Sequence, residues 1–125
     1  MTENEISFAI RGAAFKVNTA LGPGLLESVY EMALTYELRQ AGFDVVNQVG
    51  VPMVYSAVKM DIGFRLDILV NDLVIVEIKS VEALADIHHK QLLTYLKLSG
   101  KKLGLLINFN SCSLKDSIVR IVNSL

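Results

Sequence analysis

The stretch IGFRLDILVNDLVIVEIK, residues 62–79, decides the fold. In its first half Ile62, Phe64, Leu66, Ile68 and Val70 alternate with Gly63, Arg65, Asp67 and Leu69. A period of two belongs to a strand with one covered face. Its second half, Leu73 to Lys79, is largely β-branched and carries charge only at Glu77 and Lys79. Such a run is expected of a central strand. Asn71 and Asp72 between the halves are turn formers.

The length of that turn has chemical consequences. A two-residue loop, Asn71-Asp72, would pair Val70 with Leu73 and set Asp67 against Val76, on the face opposite Glu77. A three-residue loop ending at Leu73 pairs Val70 with Val74 and puts Asp67 across from Glu77. Asn-Asp alone favours the shorter turn. Asp67, Glu77 and Lys79, however, interrupt otherwise apolar strands. A charge on a buried strand costs several kcal/mol unless it is paired or holds a metal. A shared site for the three therefore predicts an odd-length loop or a bulge.

Upstream, Thr2-x-x-Glu5 is a capping-box pattern. Ile6, Ile10, Ala13, Ala14 and Val17 follow at helical spacing to about residue 18. Gly22-Pro23-Gly24 is a breaker. A second helix is marked by Leu26, Val29, Tyr30, Ala33, Leu34 and Leu38, with Gly42 as its stop. Residues 43–49 and 52–59 read as two strands, Pro52 standing where a missing N–H is tolerable. Downstream, a helix over 87–98 has Asp86 as its candidate N-cap and Gly100 as its close. Residues 103–108 form a buried strand. In the tail, Leu114, Ile118, Ile121 and Val122 suit a helix, although 118–122 would also pass as a strand. The helix is the reading adopted. The predicted order is α-α-β-β-β-β-α-β-α, one α/β domain over residues 1–125. A parallel crossover is expected across 73–108.

Composition bounds the rest. The chain has 125 residues, 52% hydrophobic and 20% charged, a globular balance. No apolar run is long enough to span a bilayer, and the start lacks a signal pattern; a cytoplasmic protein is expected. Cys112 is the only cysteine, which excludes an internal disulfide and a thiolate metal cluster. Net charge is −1, so the chain cannot grip a long duplex through overall charge. A nucleic-acid function must rest on a local site, a small substrate or a partner.

The local site suits phosphodiester hydrolysis. Glu77 and Lys79 share a strand face. Two carboxylates, Asp67 and Glu77, with the backbone carbonyl of Ile78, make a half-site for a hard divalent cation such as Mg2+ or Mn2+. Lys79 is placed to orient or activate a water and to steady the developing charge. Arg65, two residues before Asp67, either pairs with that carboxylate or binds phosphate. A plain ion pair is the bland alternative for Glu77 and Lys79, core packing for Tyr30, and solvated helix positions for His88 and His89. Lys97, Lys101 and Lys102 form the one basic cluster, either a solvated helix end or a phosphate contact.

Asp67 followed by Glu77-Ile78-Lys79 resembles the PD-(D/E)xK superfamily, with Leu66 where the name has proline. Gly24-Leu25-Leu26-Glu27-Ser28-Val29-Tyr30 resembles the GxxExxY signature of a small prokaryotic family within it. Gln91-Leu92-Leu93-Thr94-Tyr95 resembles the QxxxY element of its exonuclease-like branch, and Gly104 to Phe109 the closing strand. The resemblance implies a restriction-endonuclease-like αβββαβ core, its mixed sheet flanked by helices, here with an extra N-terminal helix. It implies catalytic roles for Asp67, Glu77 and Lys79. Glu27 would reach the metal or its water shell, and Gln91 and Tyr95 would contact the site from the following helix. The implied activity is a metal-dependent nuclease, on DNA before RNA. The alternative is a catalytically silent module that binds nucleic acid or a protein. The high apolar content leaves room for a homodimer that covers an apolar helix face.

Overall fold

The structure is a computed structural model that describes residues 1–125. Helix α1 (Glu3–Leu21) begins at the capping box read from sequence. The Glu5 N–H donates to Thr2 Oγ1, and the Glu5 carboxylate accepts from the Thr2 N–H. Its buried residues Ile6, Ile10, Ala14 and Val17 form one stripe. Helix α2 (Glu27–Gln40) buries Tyr30, Leu34 and Leu38 and ends just before Gly42, whose φ of 90° few other residues accept.

Five strands follow, β1 (Val45–Tyr55), β2 (Val58–Val70), β3 (Val74–Lys79), β4 (Leu103–Asn108) and β5 (Ile118–Val122), with helix α3 (Asp86–Ser99) between β3 and β4. They lie side by side in chain order. The β3–β4 pair is parallel and the other three are antiparallel. This is the expected αβββαβ core in a mixed sheet, with α1 added in front and β5 behind.

Three expectations are corrected. Only three strands, not four, lie between Phe43 and Lys79. Residues 43–49 and 52–59 are not separate strands: β1 runs through Pro52, and the chain reverses at Ser56-Ala57. Pro52 sits where the register jumps from Val51↔Phe64 to Met53↔Met60. On this outermost strand its absent N–H costs no ladder bond. The tail is not a helix. After a 3-10 turn (Leu114–Asp116), Ile118 to Val122 pair with Leu103 to Ile107. Helical spacing loses there to β-branched residues beside an open strand. Finally, α3 is capped at Ala85 rather than Asp86, and the Ala85 N–H donates to His88 Nδ1 at 3.0 Å. His88 is thus a capping residue.

The sheet has two unlike faces. Under α1 and α2 lie Ile68, Val70, Val74, Val76, Ile78, Leu103, Leu105 and Ile107. Each such side chain stabilises the fold by about 1.5–3 kcal/mol when fully buried. Under α3 lies a smaller cluster: Leu66, Leu69, Ile75, Leu92, Leu96 and Leu106. Helix and sheet approach closely at Gly104, where a Cβ would stand 3.0 Å from Leu92.

The turn between β2 and β3 is the longer of the two weighed. Val70 pairs with Val74 and Ile68 with Val76. Asn71 and Asp72 both take left-handed φ, 50° and 57°, which these residue types tolerate best after glycine. Asn71 Oδ1 accepts from the Asp44 N–H, and Lys101 Nζ binds both the carbonyl and the carboxylate of Asp72. Lys101 of the basic cluster is therefore a turn clamp.

Candidate active site

Regular pairing between β2 and β3 stops at Ile68↔Val76. One step further, where Asp67 meets Glu77, side chains replace the ladder. The Asp67 N–H donates to Glu77 Oε1 at 3.1 Å, and the Ile78 N–H donates to Asp67 Oδ2 at 2.8 Å. Each carboxylate grips the other's strand, and this brings the two together.

A change of face makes room for them. Val45, Ile68 and Val70 belong to the cluster under α1 and α2, whereas Val49, Val51, Phe64 and Leu66 pack under α3. Residues of one parity thus leave one side of the sheet and join the other. The switch falls between the pairs Asn47↔Ile68 and Val49↔Leu66, where Gln48 stands opposite Asp67. Gln48 has φ 51°, a left-handed value inside a strand that costs roughly 1–3 kcal/mol.

Glu77 is only 5% exposed. Burial first, and the negative charge of Asp67 second, push its pKa up to about 8. Near neutrality Glu77 therefore keeps its proton in the absence of metal. Tyr95 looks onto the same pair. Its pKa is raised by burial and then by the charges of Glu77 and Asp67, and its ring stacks on Phe64 at 4.3 Å.

The chain forms two ion pairs, Lys16–Glu37 and Lys101–Asp72. Lys79 is in neither. It is half-buried two residues beyond Glu77, and its charge acts to lower the Glu77 pKa. The bland reading of Glu77 and Lys79 as a closed ion pair is thereby excluded. Arg65 is exposed and makes no ion pair with Asp67. Gln91 is exposed on α3, and its side chain makes no hydrogen bond.

Glu27 lies at the end of β3. Its Oε2 accepts from the Ser80 N–H at 3.2 Å, and no third acid, His or Cys joins Asp67 and Glu77 in a metal-binding cluster. The loop before it is clamped. The Tyr30 hydroxyl donates to the Gly22 carbonyl and accepts from the Leu25 N–H, while Ser80 Oγ donates to the Leu25 carbonyl. Tyr30 also stacks on Phe109. It is both core and the strut that sets Glu27 beside the end of β3. Sequence reasoning missed Ser80, although it directly follows Lys79, and Phe64, whose place under Tyr95 depends on the face change. No sequence signal marks the latter.

The donor set suits a hard divalent cation. Each carboxylate spends one oxygen on a backbone N–H and leaves the other without a protein donor; no buried side-chain polar atom lacks a partner, so those oxygens reach solvent. The Ile78 N–H points toward Asp67, and in an extended strand the carbonyl of the same residue points the same way. Two carboxylates and a carbonyl, completed by water and phosphate oxygens, are what Mg2+ accepts. Beside Lys79, across its pairing with Asn108, a polar hollow of about 370 Å³ is lined by Glu82, His89, Asn110 and Asp116. The most apolar concavity, about 480 Å³ between α1 and α2, holds none of these groups.

A family model of the PD-(D/E)XK nuclease superfamily matches residues 4–121. No curated protein and no solved structure gives a significant match. The family match runs through every element that builds the carboxylate pair, and the αβββαβ core agrees with it. The chain belongs to the PD-(D/E)XK nuclease superfamily.

Proposed function

We propose that this protein is a Mg2+- or Mn2+-dependent nuclease that hydrolyses phosphodiester bonds in nucleic acid, DNA in preference to RNA. The observation that carries the proposal is the Asp67–Glu77 pair, opposed across two strands, with the unpaired Lys79 beside it. Asp67, Glu77 and the Ile78 carbonyl would hold the cation. When bound, it supplies Lewis-acid polarisation of the phosphoryl oxygens and a more acidic water. Glu77 gives up its proton as the cation takes the proton's place. Lys79 orients the attacking water and steadies negative charge on the phosphoryl group. Glu27, held at Ser80, reaches the water shell. Tyr95 and Gln91 from α3, and Arg65 from β2, position substrate. The pattern Gly24-x-x-Glu27-x-x-Tyr30 supports assignment to the GxxExxY branch, which is prokaryotic. A cytoplasmic setting fits a chain in which no helix is long and apolar enough to cross a membrane. A homodimer would cover the exposed Met32 and Tyr36 on α2.

Net charge of −1 supports a second reading, a silent module on the same fold. Calorimetry with Mn2+ and cleavage of single- and double-stranded DNA and RNA separate the two. The nuclease binds metal and cuts; absence of both at millimolar metal leaves the module.

A further inference from the structure

Gln48 sits in a left-handed conformation inside β1, and a neighbouring element holds it there. Glu31, one turn after Glu27 on α2, uses both carboxylate oxygens. Oε1 accepts from Gln48 Nε2 at 2.9 Å and Oε2 from Asn47 Nδ2 at 3.1 Å. The Asn47 amide also donates to Thr35 Oγ1 at 2.8 Å, and Arg39 Nη2 donates to the Val45 carbonyl at 2.8 Å. Helix α2 therefore grips β1 at residues 45, 47 and 48, and Glu31 alone reaches the left-handed one. Opposite Gln48 stands Asp67, where β2 makes the same change of face.

We propose that Glu31 is a positioning residue: the turn register puts Asp67 across from Glu77, and the two-oxygen grip of Glu31 on Asn47 and Gln48 holds the β1 kink opposite Asp67 that lets its carboxylate close on the Ile78 N–H. Without it Gln48 relaxes toward extended backbone. The regular β1–β2 ladder then closes at position 67, the Asp67 backbone is drawn toward β1, and its carboxylate loses the Ile78 N–H. Glu27 and Glu31 lie four residues apart on one side of α2. One is bonded at the end of β3, the other at the kink of β1, so a single helix brackets the site from two strands. The catalytic importance of the bracket rests on the nuclease reading; its effect on Asp67 does not.

Two readouts separate these. Amide hydrogen exchange of Ile78 reports its bond to Asp67 whether or not the protein cuts anything. In Glu31→Ala, exchange at Ile78 accelerates about tenfold or more, with amides of β4 within about twofold of wild type. Mn2+ affinity measured by calorimetry falls about 10- to 100-fold, as for groups that orient metal ligands. Activity shows a raised metal requirement, with kcat at saturating metal largely kept. The transposed double variant, Glu31→Gln with Gln48→Glu, restores a donor–acceptor pair and recovers Ile78 protection. Unchanged Ile78 exchange in Glu31→Ala overturns the proposal, as does uniform acceleration of every amide or failure of the transposed pair to recover. If wild-type protein binds no Mn2+, the nuclease reading falls, and Ile78 exchange still decides the role of Glu31.

Discussion

The two faces of the sheet use the same strands for opposite purposes. On β3, Val74, Val76 and Ile78 point under α1 and α2, while Ile75, Glu77 and Lys79 point under α3. The first face joins a cluster of 18 buried residues, the second one of 6. Stability is concentrated where no charge intrudes. That concentration is what lets the other face hold two carboxylates side by side, an arrangement that opposes folding when both are ionised. Substitutions should therefore separate by face: one set changes stability, the other chemistry.

The strongest test lies on the charged face. Glu77→Ala and Lys79→Ala should each lower cleavage about a thousandfold or more in a nuclease assay. Melting temperature should hold or rise, because burial forces Glu77 to keep a proton at neutral pH and Lys79 has no ion-pair partner to lose. Melting that falls as far as for a core variant would erase the distinction between the faces. On the apolar face, Leu34→Ala and Leu105→Ala should cost about 2–5 kcal/mol each in denaturant titrations. Their residual folded fraction should keep its metal affinity. A selective loss of metal binding would show that the two faces are coupled.

A subtler effect is in the pH dependence of metal-free protein. The Glu77 pKa is near 8 when folded, against 4.5 ordinarily. Folding therefore keeps a proton that the unfolded chain releases. The stability from neutral Glu77 is complete below pH 4.5 and is lost progressively as pH rises to about 8, a few kcal/mol in all. Chemical denaturation across that window should show the slope in wild type and its loss in Glu77→Gln. Saturating Mn2+ should flatten it and release a proton on binding. The smallest effect is expected at the turn that belongs to neither face. Lys101→Ala, which removes the partly exposed contact with Asp72, should cost less than about 1 kcal/mol.

Much of this was legible in the chain. Alternation over residues 62–70 and the β-branched run after it named the central hairpin. The requirement that Asp67 and Glu77 meet selected the longer turn, against the local preference of Asn-Asp. The tail was not legible, because Ile118-Val-Arg-Ile-Val satisfies both periods and only the open side of β4 decides between them. The face change at Gln48 and Asp67 was not legible either. Glutamine carries no signal for a left-handed backbone, and its stabilising partner Glu31 lies 17 residues away. Hence the opposed carboxylates Asp67 and Glu77, with Lys79 beside them, could be named from sequence. Their surroundings could not: Ser80 bonded to Glu27, Phe64 beneath Tyr95, Glu31 behind the kink.

The register jump at Pro52 has a consequence for solubility. β1 has an unpaired outer flank, eleven residues long and bearing the exposed apolar side chains Val46, Val54 and Tyr55. A flat flank of that length would template strand addition by a second molecule. Proline removes one donor from it, the jump beside proline twists the ribbon, and the left-handed residue at position 48 breaks the row again. No run longer than three residues remains between these interruptions and the start of the strand. The same bends that serve the carboxylates leave a stacking neighbour nothing straight to copy.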